Sequence, residues 1–150
     1  MAGTGCLICF DPLQGQLLAI LSADNRLRLW DVVSGTVRQQ YVEAQHLSKH
    51  FSAIAWHRPS SASAGKRRRS SSTDSAAPLG VIALGSEAGG VSIWDLQLGV
   101  QTTLTDGNAR SPISCMAFSS DGSKLYTASS TDKDVVEWSM ESSKILRKLK

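Results

Sequence analysis

Two of the three cysteines form a Cys-x-x-Cys pair, a spacing that zinc sites use. Cys6 and Cys9 would need a second pair of ligands, and Cys115 stands alone. In a strand, positions three apart also point to opposite faces. We therefore interpret Cys6 and Cys9 as buried apolar side chains, and we predict no metal site.

The three histidines lie within twelve residues, at His46, His50 and His57. A metal needs three or four ligands, and no glutamate stands at the His-Glu-x-x-His spacing. The segment is interpreted as a connection between structural units. There His46 or His50 either joins a hydrogen bond between units or has no special role.

The glycine-rich segment 85–90 has no Gly-Lys-Ser/Thr ending and does not open a helix, so it is not a phosphate loop. It is predicted to be a tight turn between antiparallel strands. No serine stands in a Gly-x-Ser-x-Gly elbow. The sequence therefore predicts no catalytic residues, no cofactor and no small-molecule substrate.

The basic block Lys66, Arg67, Arg68 and Arg69 dominates the net charge of +3. Removing it from the 16 basic residues leaves 12 against 13 acidic ones, so the body of the chain is not a nucleic-acid-binding domain. The Ser- and Ala-rich segment 59–78 around it is predicted to be a disordered loop. Three alternatives stay open for the block: a nuclear import signal, an RNA contact, or a merely solubilising loop. Phosphorylation of Ser70, Ser71 or Ser72 would weaken either of the first two uses.

The length of 150 residues suits one ordinary domain, and 41% hydrophobic content suits a folded one. The longest aliphatic run, 17–21, is far shorter than the roughly 20 residues of a membrane span. No secretory signal is visible at the start of the chain.

An internal repeat is indicated by three segments that share one order of short apolar runs. The third run of each segment contains a tryptophan: Trp30, Trp94 and Trp138. Phe10 and Phe118 each precede that tryptophan by 20 positions, whereas Trp56 precedes it by 38. The excess coincides with segment 59–78. The repeat length matches the roughly 40–45 residues of a four-stranded propeller blade.

Strands are predicted throughout, because the apolar runs are short, alternate with polar residues and end at turn residues. Leu27 and Leu29, for example, flank Arg28. A fourth strand is predicted after each tryptophan, over 36–42, 101–104 and 144–149. The chain is therefore predicted to be all-β, with units at about 5–43, 51–105 and 111–150.

The dipeptides Trp30-Asp31 and Trp94-Asp95 resemble the signature of the WD-repeat family. The resemblance implies a β-propeller in which all three repeat tryptophans are structural and Asp24 and Asp132 occupy the turn where the family often carries an aspartate. Trp56 is expected in the core. Three features depart from the family pattern: Trp138-Ser139 in the third unit, Glu137 at a buried position, and no Gly-His dipeptide, with Gly107-Asn108 at one such place.

Three blades form an open arc with two uncovered sheet faces, whereas closed propellers typically have 4–8 blades. We therefore expect the chain to be the N-terminal part of a longer protein or a truncated product. Dimerisation of half-propellers is the less favoured alternative.

Finer features resemble the start of the nucleolar WD repeat-containing protein forty-three family, whose members are subunits of the t-UTP (UtpA) subcomplex of the small-subunit processome. They are the Tyr41–Ser48 connection, the Lys/Arg-rich insertion and the Val136-Glu137-Trp138 strand. The resemblance implies a non-catalytic scaffold for ribosome biogenesis in the nucleolus, with other subunits as partners and pre-rRNA contact through the basic loop. The alternative is a generic adaptor, such as a ubiquitin-ligase substrate receptor or a signalling scaffold.

Overall fold

The fold is known from a computed structural model that describes residues 5–43, 48–59, 78–104 and 111–150. The described residues form twelve strands in three four-stranded antiparallel sheets. The prediction of an all-β chain with the repeat layout of an incomplete WD-type propeller is confirmed.

Each sheet, here called a blade, is built from four strands consecutive in the chain. Blade one contains β1 (Leu7–Phe10), β2 (Leu17–Leu21), β3 (Leu27–Asp31) and β4 (Thr36–Tyr41). Blade two contains β5 (Phe51–His57), β6 (Val81–Ser86), β7 (Val91–Asp95) and β8 (Val100–Leu104). Blade three contains β9 (Ile113–Phe118), β10 (Lys124–Ser129), β11 (Val135–Ser139) and β12 (Lys144–Leu149).

Alternation along the strands creates the face that each blade buries. In β2, residues 17, 19 and 21 are buried and the two between them are half-buried. Their β3 partners in register include Leu27 and Leu29, both fully buried. A period of two therefore collects the apolar side chains of neighbouring strands on one face.

The three blades stack through two apolar cores. The first joins the Leu29 face of blade one to the Trp94 face of blade two, with Trp56, Ile82 and Leu84 among its members. Trp56 is thus in the core, as predicted. The second core joins the opposite, Ile93 face of blade two to the Trp138 face of blade three. Each blade in this series buries a face only because the next blade covers it.

Close approach of blades two and three depends on Gly85 in β6. A Cβ atom at this position would lie 2.7 Å from Cγ2 of Ile113, on the first strand of blade three. Nearby, the Ser52 hydroxyl donates a hydrogen bond to the carbonyl oxygen of Ile113. The glycine of the predicted turn segment therefore has a packing role at the strand end, while the turn itself contains Gly89 with a positive φ of 89°.

The hairpin after the third strand of each blade ends on a residue in the left-handed region. Blades one and two use Gly35 and Gly99, with φ of 69° and 67°, whereas blade three has Ser143 at 56°. A side chain in this region costs roughly 1–2 kcal/mol. The third hairpin is therefore less favourable than its two counterparts.

The substitution Ser143→Gly is expected to raise the free energy of unfolding by roughly 0.5–1 kcal/mol, after allowance for the greater entropy of glycine in the unfolded chain. Chemical denaturation measures the change. Ser142→Gly is the matched control, since Ser142 has no positive φ, and it should destabilise the chain. Equal effects at both positions would contradict the argument.

Candidate interaction surfaces

The aspartates of the two Trp-Asp dipeptides cap the turn that follows the third strand. Oδ1 of Asp31 accepts two backbone N–H hydrogen bonds from that turn at 3.0 Å, and Oδ1 of Asp95 accepts two at 2.9 Å. The N–H of Ser34 is the main reason that the pKa of Asp31 is lowered. In blade three, the Ser139 hydroxyl accepts one such bond, from Ser142 at 3.2 Å. The signature aspartate thus fixes the shape of an exposed loop.

The repeat tryptophans differ in burial and in hydrogen bonding. Trp94 and Trp138 are buried between blades, whereas Trp30 is only half-buried. Nε1 of Trp138 donates to Oγ1 of Thr127 at 3.0 Å in the buried interior. The strand register places Ile20 and Leu84 at the position of Thr127 in the other blades. The hydroxyl partner of the tryptophan is therefore particular to blade three among the described sheets.

The two turn aspartates of the predicted signature have different surroundings. Oδ2 of Asp24 lies 3.0 Å from a guanidinium nitrogen of Arg28, and this hydrogen bond is the main cause of its lowered pKa. Oδ1 of Asp24 accepts from the N–H of Arg26 at 3.2 Å. Asp132 is exposed in the turn between β10 and β11. Asp24 therefore organises its turn through Arg28.

An ion pair that the sequence did not predict joins blades one and two. The Arg58 guanidinium, just after β5, donates to Oδ2 of Asp11, just after β1. The Asp11 side chain is fully buried, and its Oδ1 accepts the N–H of Leu13 at 2.9 Å. Nε of Arg58 also donates to the carbonyl oxygen of Pro78 at 2.9 Å. These contacts of Arg58, here called the Asp11–Arg58 clamp, connect the end of β1 with the residues on both sides of positions 60–77.

Glu137 is 1% exposed at the centre of the outer face of blade three. Its carboxylate lies 2.7 Å from Nζ of Lys124 on β10 and also accepts from Nε of Arg147 on β12. Leu29 and Ile93 occupy the corresponding positions of the other blades. The position is buried as predicted, but by two basic side chains rather than by a neighbouring sheet.

Acid should remove the stabilisation that this cluster provides. The Lys124 hydrogen bond, followed by that of Arg147, lowers the pKa of Glu137 below its ordinary value near 4.3. A lowered pKa in the folded state stabilises the protein above the unfolded pKa, and the effect is lost as pH falls through the folded pKa. Glu137→Gln should therefore lower the Tm at pH 7 and weaken its decline below about pH 4.5. Thermal unfolding across pH measures this, with exposed Glu141→Gln as control; equal pH profiles would count against the assignment.

The outer face of blade one is apolar and uncovered within the described residues. Phe10 is 56% exposed, and Ile8 and Val37 are also exposed. The outer face of blade three, in contrast, has the Glu137 cluster at its centre. The two ends of the stack therefore differ in chemistry. An exposed apolar patch like that of blade one marks a surface that another sheet or a partner covers.

Several residues predicted to have functional roles lie outside the described residues. They are the basic block Lys66–Arg69, the serines Ser70–Ser72, His46, and Gly107-Asn108. The described basic residues include a second group on β12, the outermost strand of blade three. There Lys144 and Lys148 are exposed and Arg147 binds Glu137.

The cysteines and histidines do not converge. The expectation that both cysteines of the Cys-x-x-Cys pair are buried is wrong for Cys6, which is exposed because it precedes β1; Cys9 is half-buried. Burial raises the pKa of the Cys9 thiol. His57 packs against Phe118 with ring centroids 5.8 Å apart. Across the described ranges, no three His, Cys, Asp or Glu side chains gather as metal ligands would, and no helix there is long and apolar enough to cross a membrane.

Curated proteins are similar to this chain in sequence. No protein-family model matches the chain. WD repeat-containing protein 43 of Homo sapiens is 28% identical over 156 residues, an alignment that covers 100% of this chain. The chain is a homologue of WD-repeat proteins. The resemblance predicted from Trp30-Asp31 and Trp94-Asp95 is confirmed, as is the likeness to the protein 43 family.

A second relative of this chain is a transport protein by name. Protein transport protein SEC31 of Chaetomium globosum is 28% identical over 138 residues, which covers 89% of the chain. The chain spans 23% of the human relative and 9% of the fungal one. The similarity therefore concerns one part of each relative.

Proposed function

We propose that the chain is a non-catalytic WD-repeat scaffold acting in ribosome biogenesis, in small-subunit processome assembly and in pre-rRNA transcription and processing in the nucleolus. The observation that carries the proposal is the similarity to WD repeat-containing protein 43 along the whole chain. The nucleolar role is what the resemblance to that family implies, and its partners are other protein subunits of a ribosome-assembly complex.

The mechanism is rigid display of loops. The Asp31 and Asp95 carboxylates fix two turns, and the Asp11–Arg58 clamp fixes two blades relative to each other. Loops held by a stacked scaffold present binding residues at little entropic cost. A scaffold of this kind binds partners and performs no chemistry itself.

The basic block Lys66–Arg69 adds a charged element to this scaffold. We propose that this run of four basic residues serves nuclear import or contacts pre-rRNA phosphates, and phosphate contacts weaken steeply with salt. The third alternative is a loop that only adds solubility, and it requires neither use to change when the block is removed. We propose that phosphorylation at Ser70–Ser72 opposes both uses by adding negative charge.

The second candidate function is that of a general WD-repeat adaptor, such as a ubiquitin-ligase substrate receptor, a signalling scaffold or a transport scaffold. The comparable identity to protein transport protein SEC31 favours keeping this candidate. The two candidates differ in location, since the first requires nucleolar accumulation.

Affinity purification of the tagged full-length protein tests the assignment. Small-subunit processome proteins and pre-rRNA are expected among the co-purifying molecules, together with nucleolar staining. Diffuse cytoplasmic staining with adaptor or transport partners would replace the ribosomal proposal with the second candidate.

The role of the basic block is tested by replacing Lys66, Arg67, Arg68 and Arg69 with alanine in the same full-length protein. A loss of nuclear accumulation supports import, whereas retained accumulation with weaker low-salt pre-rRNA binding supports RNA contact. Lys144→Ala/Lys148→Ala/Lys150→Ala is the control, because it removes three positive charges elsewhere without breaking the Arg147–Glu137 pair. Ser-to-Asp substitutions at 70–72 should reduce nuclear accumulation.

A further inference from the structure

A groove of about 640 Å³ opens between blades two and three. Its blade-two wall is the Ile93 face, with Thr102 and Leu104 of β8, and its blade-three wall includes Met140. The turn that contains Gly122 also lines the groove. A Cβ at Gly122 would lie 2.3 Å from Nε2 of His57, so this turn is packed directly against blade two. The groove is thus a preformed feature of the stacked sheets.

The corresponding space between blades one and two is filled. The cavity there is only about 180 Å³. Tyr41 of β4 packs against Trp94 with ring centroids 5.5 Å apart, and its hydroxyl donates to the carbonyl oxygen of Leu96 at 2.6 Å. In the strand registers, Tyr41 pairs with Leu27 and Leu104 pairs with Val91, so Leu104 stands where blade one has tyrosine.

A second difference between equivalent positions of blades one and two also widens the groove. Gln39 pairs with Leu29 in blade one, and Thr102 pairs with Ile93 in blade two. A long side chain that lines the filled space therefore has a short counterpart in the open one. The strand pairing is the same at these positions in both blades, and the shorter side chains of blade two leave a volume between blades two and three.

The rim of the groove combines apolar and acidic groups. Leu98 is 73% exposed and Val100 is also exposed. Asp95 of blade two and Asp121 of blade three both line the groove. Hydrogen bonds, first from the Ser119 hydroxyl, lower the pKa of Asp121 to about 2. Neither aspartate forms an ion pair with a basic side chain in the part of the chain that the structure describes.

We propose that this groove binds an extended peptide segment of a partner protein, which inserts an aliphatic or aromatic side chain between the blades and places Lys or Arg beside Asp95 and Asp121. The apolar walls accept the anchor side chain, and the carboxylates attract basic residues and repel nucleic acid. β8 is the outermost strand of its sheet and pairs with β7 alone among the described strands. Its edge can therefore hold an extended backbone, as in strand addition.

A peptide array tests the proposal with the full-length protein. The probes are fluorescent nonapeptides with Leu, Phe or Trp at the centre and Lys at both sides, in a Gly-Ser background. Matched probes carry Glu for Lys, or Ala for the central residue. We expect saturable binding of the Lys peptides near physiological salt and at least about tenfold weaker binding of both matched sets.

Two variants locate the site. Asp95→Asn/Asp121→Asn removes the rim charges but keeps an oxygen that accepts the turn hydrogen bonds, and it should weaken binding at least about tenfold. Thr102→Gln/Leu104→Tyr copies the residues of the filled space and should abolish binding. Glu87→Gln/Asp132→Asn is the control, because both residues are exposed in turns at the opposite strand ends. It should bind like the unaltered protein.

Three results would overturn the proposal. The first is failure of every Lys peptide to bind the unaltered protein. The second is unchanged binding in the Asp95→Asn/Asp121→Asn variant, whose folding does not require larger side chains to fit into the groove. The third is binding that occurs only after Lys66–Arg69 are replaced by serine. That result would make the chain's own basic block the occupant instead of a partner peptide.

Discussion

Arg58→Met is expected to lower the free energy of unfolding by about 3–5 kcal/mol, because it leaves the Asp11 carboxylate buried without its cation. The Asp11 side chain has no exposed surface in the folded protein, so its carboxylate is balanced by the guanidinium and not by water. Methionine keeps much of the length and the apolar stem of arginine, so the loss reports mainly on charge. Urea unfolding of the single variants and of the double variant measures it.

The double variant Asp11→Asn/Arg58→Met should lose less than the sum of the two single variants, since the uncompensated charge is then gone. Asparagine retains the oxygen that accepts the N–H of Leu13. Arg28→Met is the matched control, because Arg28 pairs with partly exposed Asp24, and surface pairs contribute about 0–1 kcal/mol. A loss for Arg58→Met as small as the loss for Arg28→Met would show that blades one and two do not depend on the Asp11–Arg58 ion pair.

The strands could be predicted from sequence because their signal is local. Leu27 and Leu29 alternate with Arg28 just after the turn residues 23–25, which predicts a strand, and the structure has one at Leu27–Asp31. The burial of Trp56 followed from its alignment with Phe10 and Phe118. Yet Phe10 itself is largely exposed. The repeat pattern predicts which face a side chain shares, but not whether another blade covers that face.

The contacts between blades could not be predicted, because they depend on pairings without a period. Asp11 and Arg58 are 47 positions apart and come from different units. The groove depends on the contrast between Tyr41 and Leu104, which becomes visible only when the strand registers are known. A register shift between Leu29 and Trp30 in the β3–β4 pair moves the alignment by one residue. Spacing alone therefore does not identify the equivalent positions.

Trp94→Ala and Trp138→Ala are expected to cost about 3–5 kcal/mol each, whereas Trp30→Ala should cost on the order of 1 kcal/mol. The family signature treats the three tryptophans alike. In the stack, however, Trp94 lies in the core between blades one and two, and Trp138 in the core between blades two and three. Trp30 faces the uncovered side of blade one and is half-buried. Chemical denaturation of the three variants in the same chain measures the difference.

Trp138 offers a further separation of packing from hydrogen bonding. Trp138→Phe keeps most of the ring but leaves the hydroxyl of Thr127, which is 4% exposed, without the indole N–H. An unpaired buried group costs about 1–3 kcal/mol. Adding Thr127→Val removes that group, so the double variant should recover part of the loss. Trp94→Phe is the control, because Leu84 holds the corresponding position and no hydroxyl is left unpaired.

The three Trp→Ala variants test the stacking itself. If all three lost the same stability, the burial of tryptophan between stacked blades would not be what holds this scaffold together.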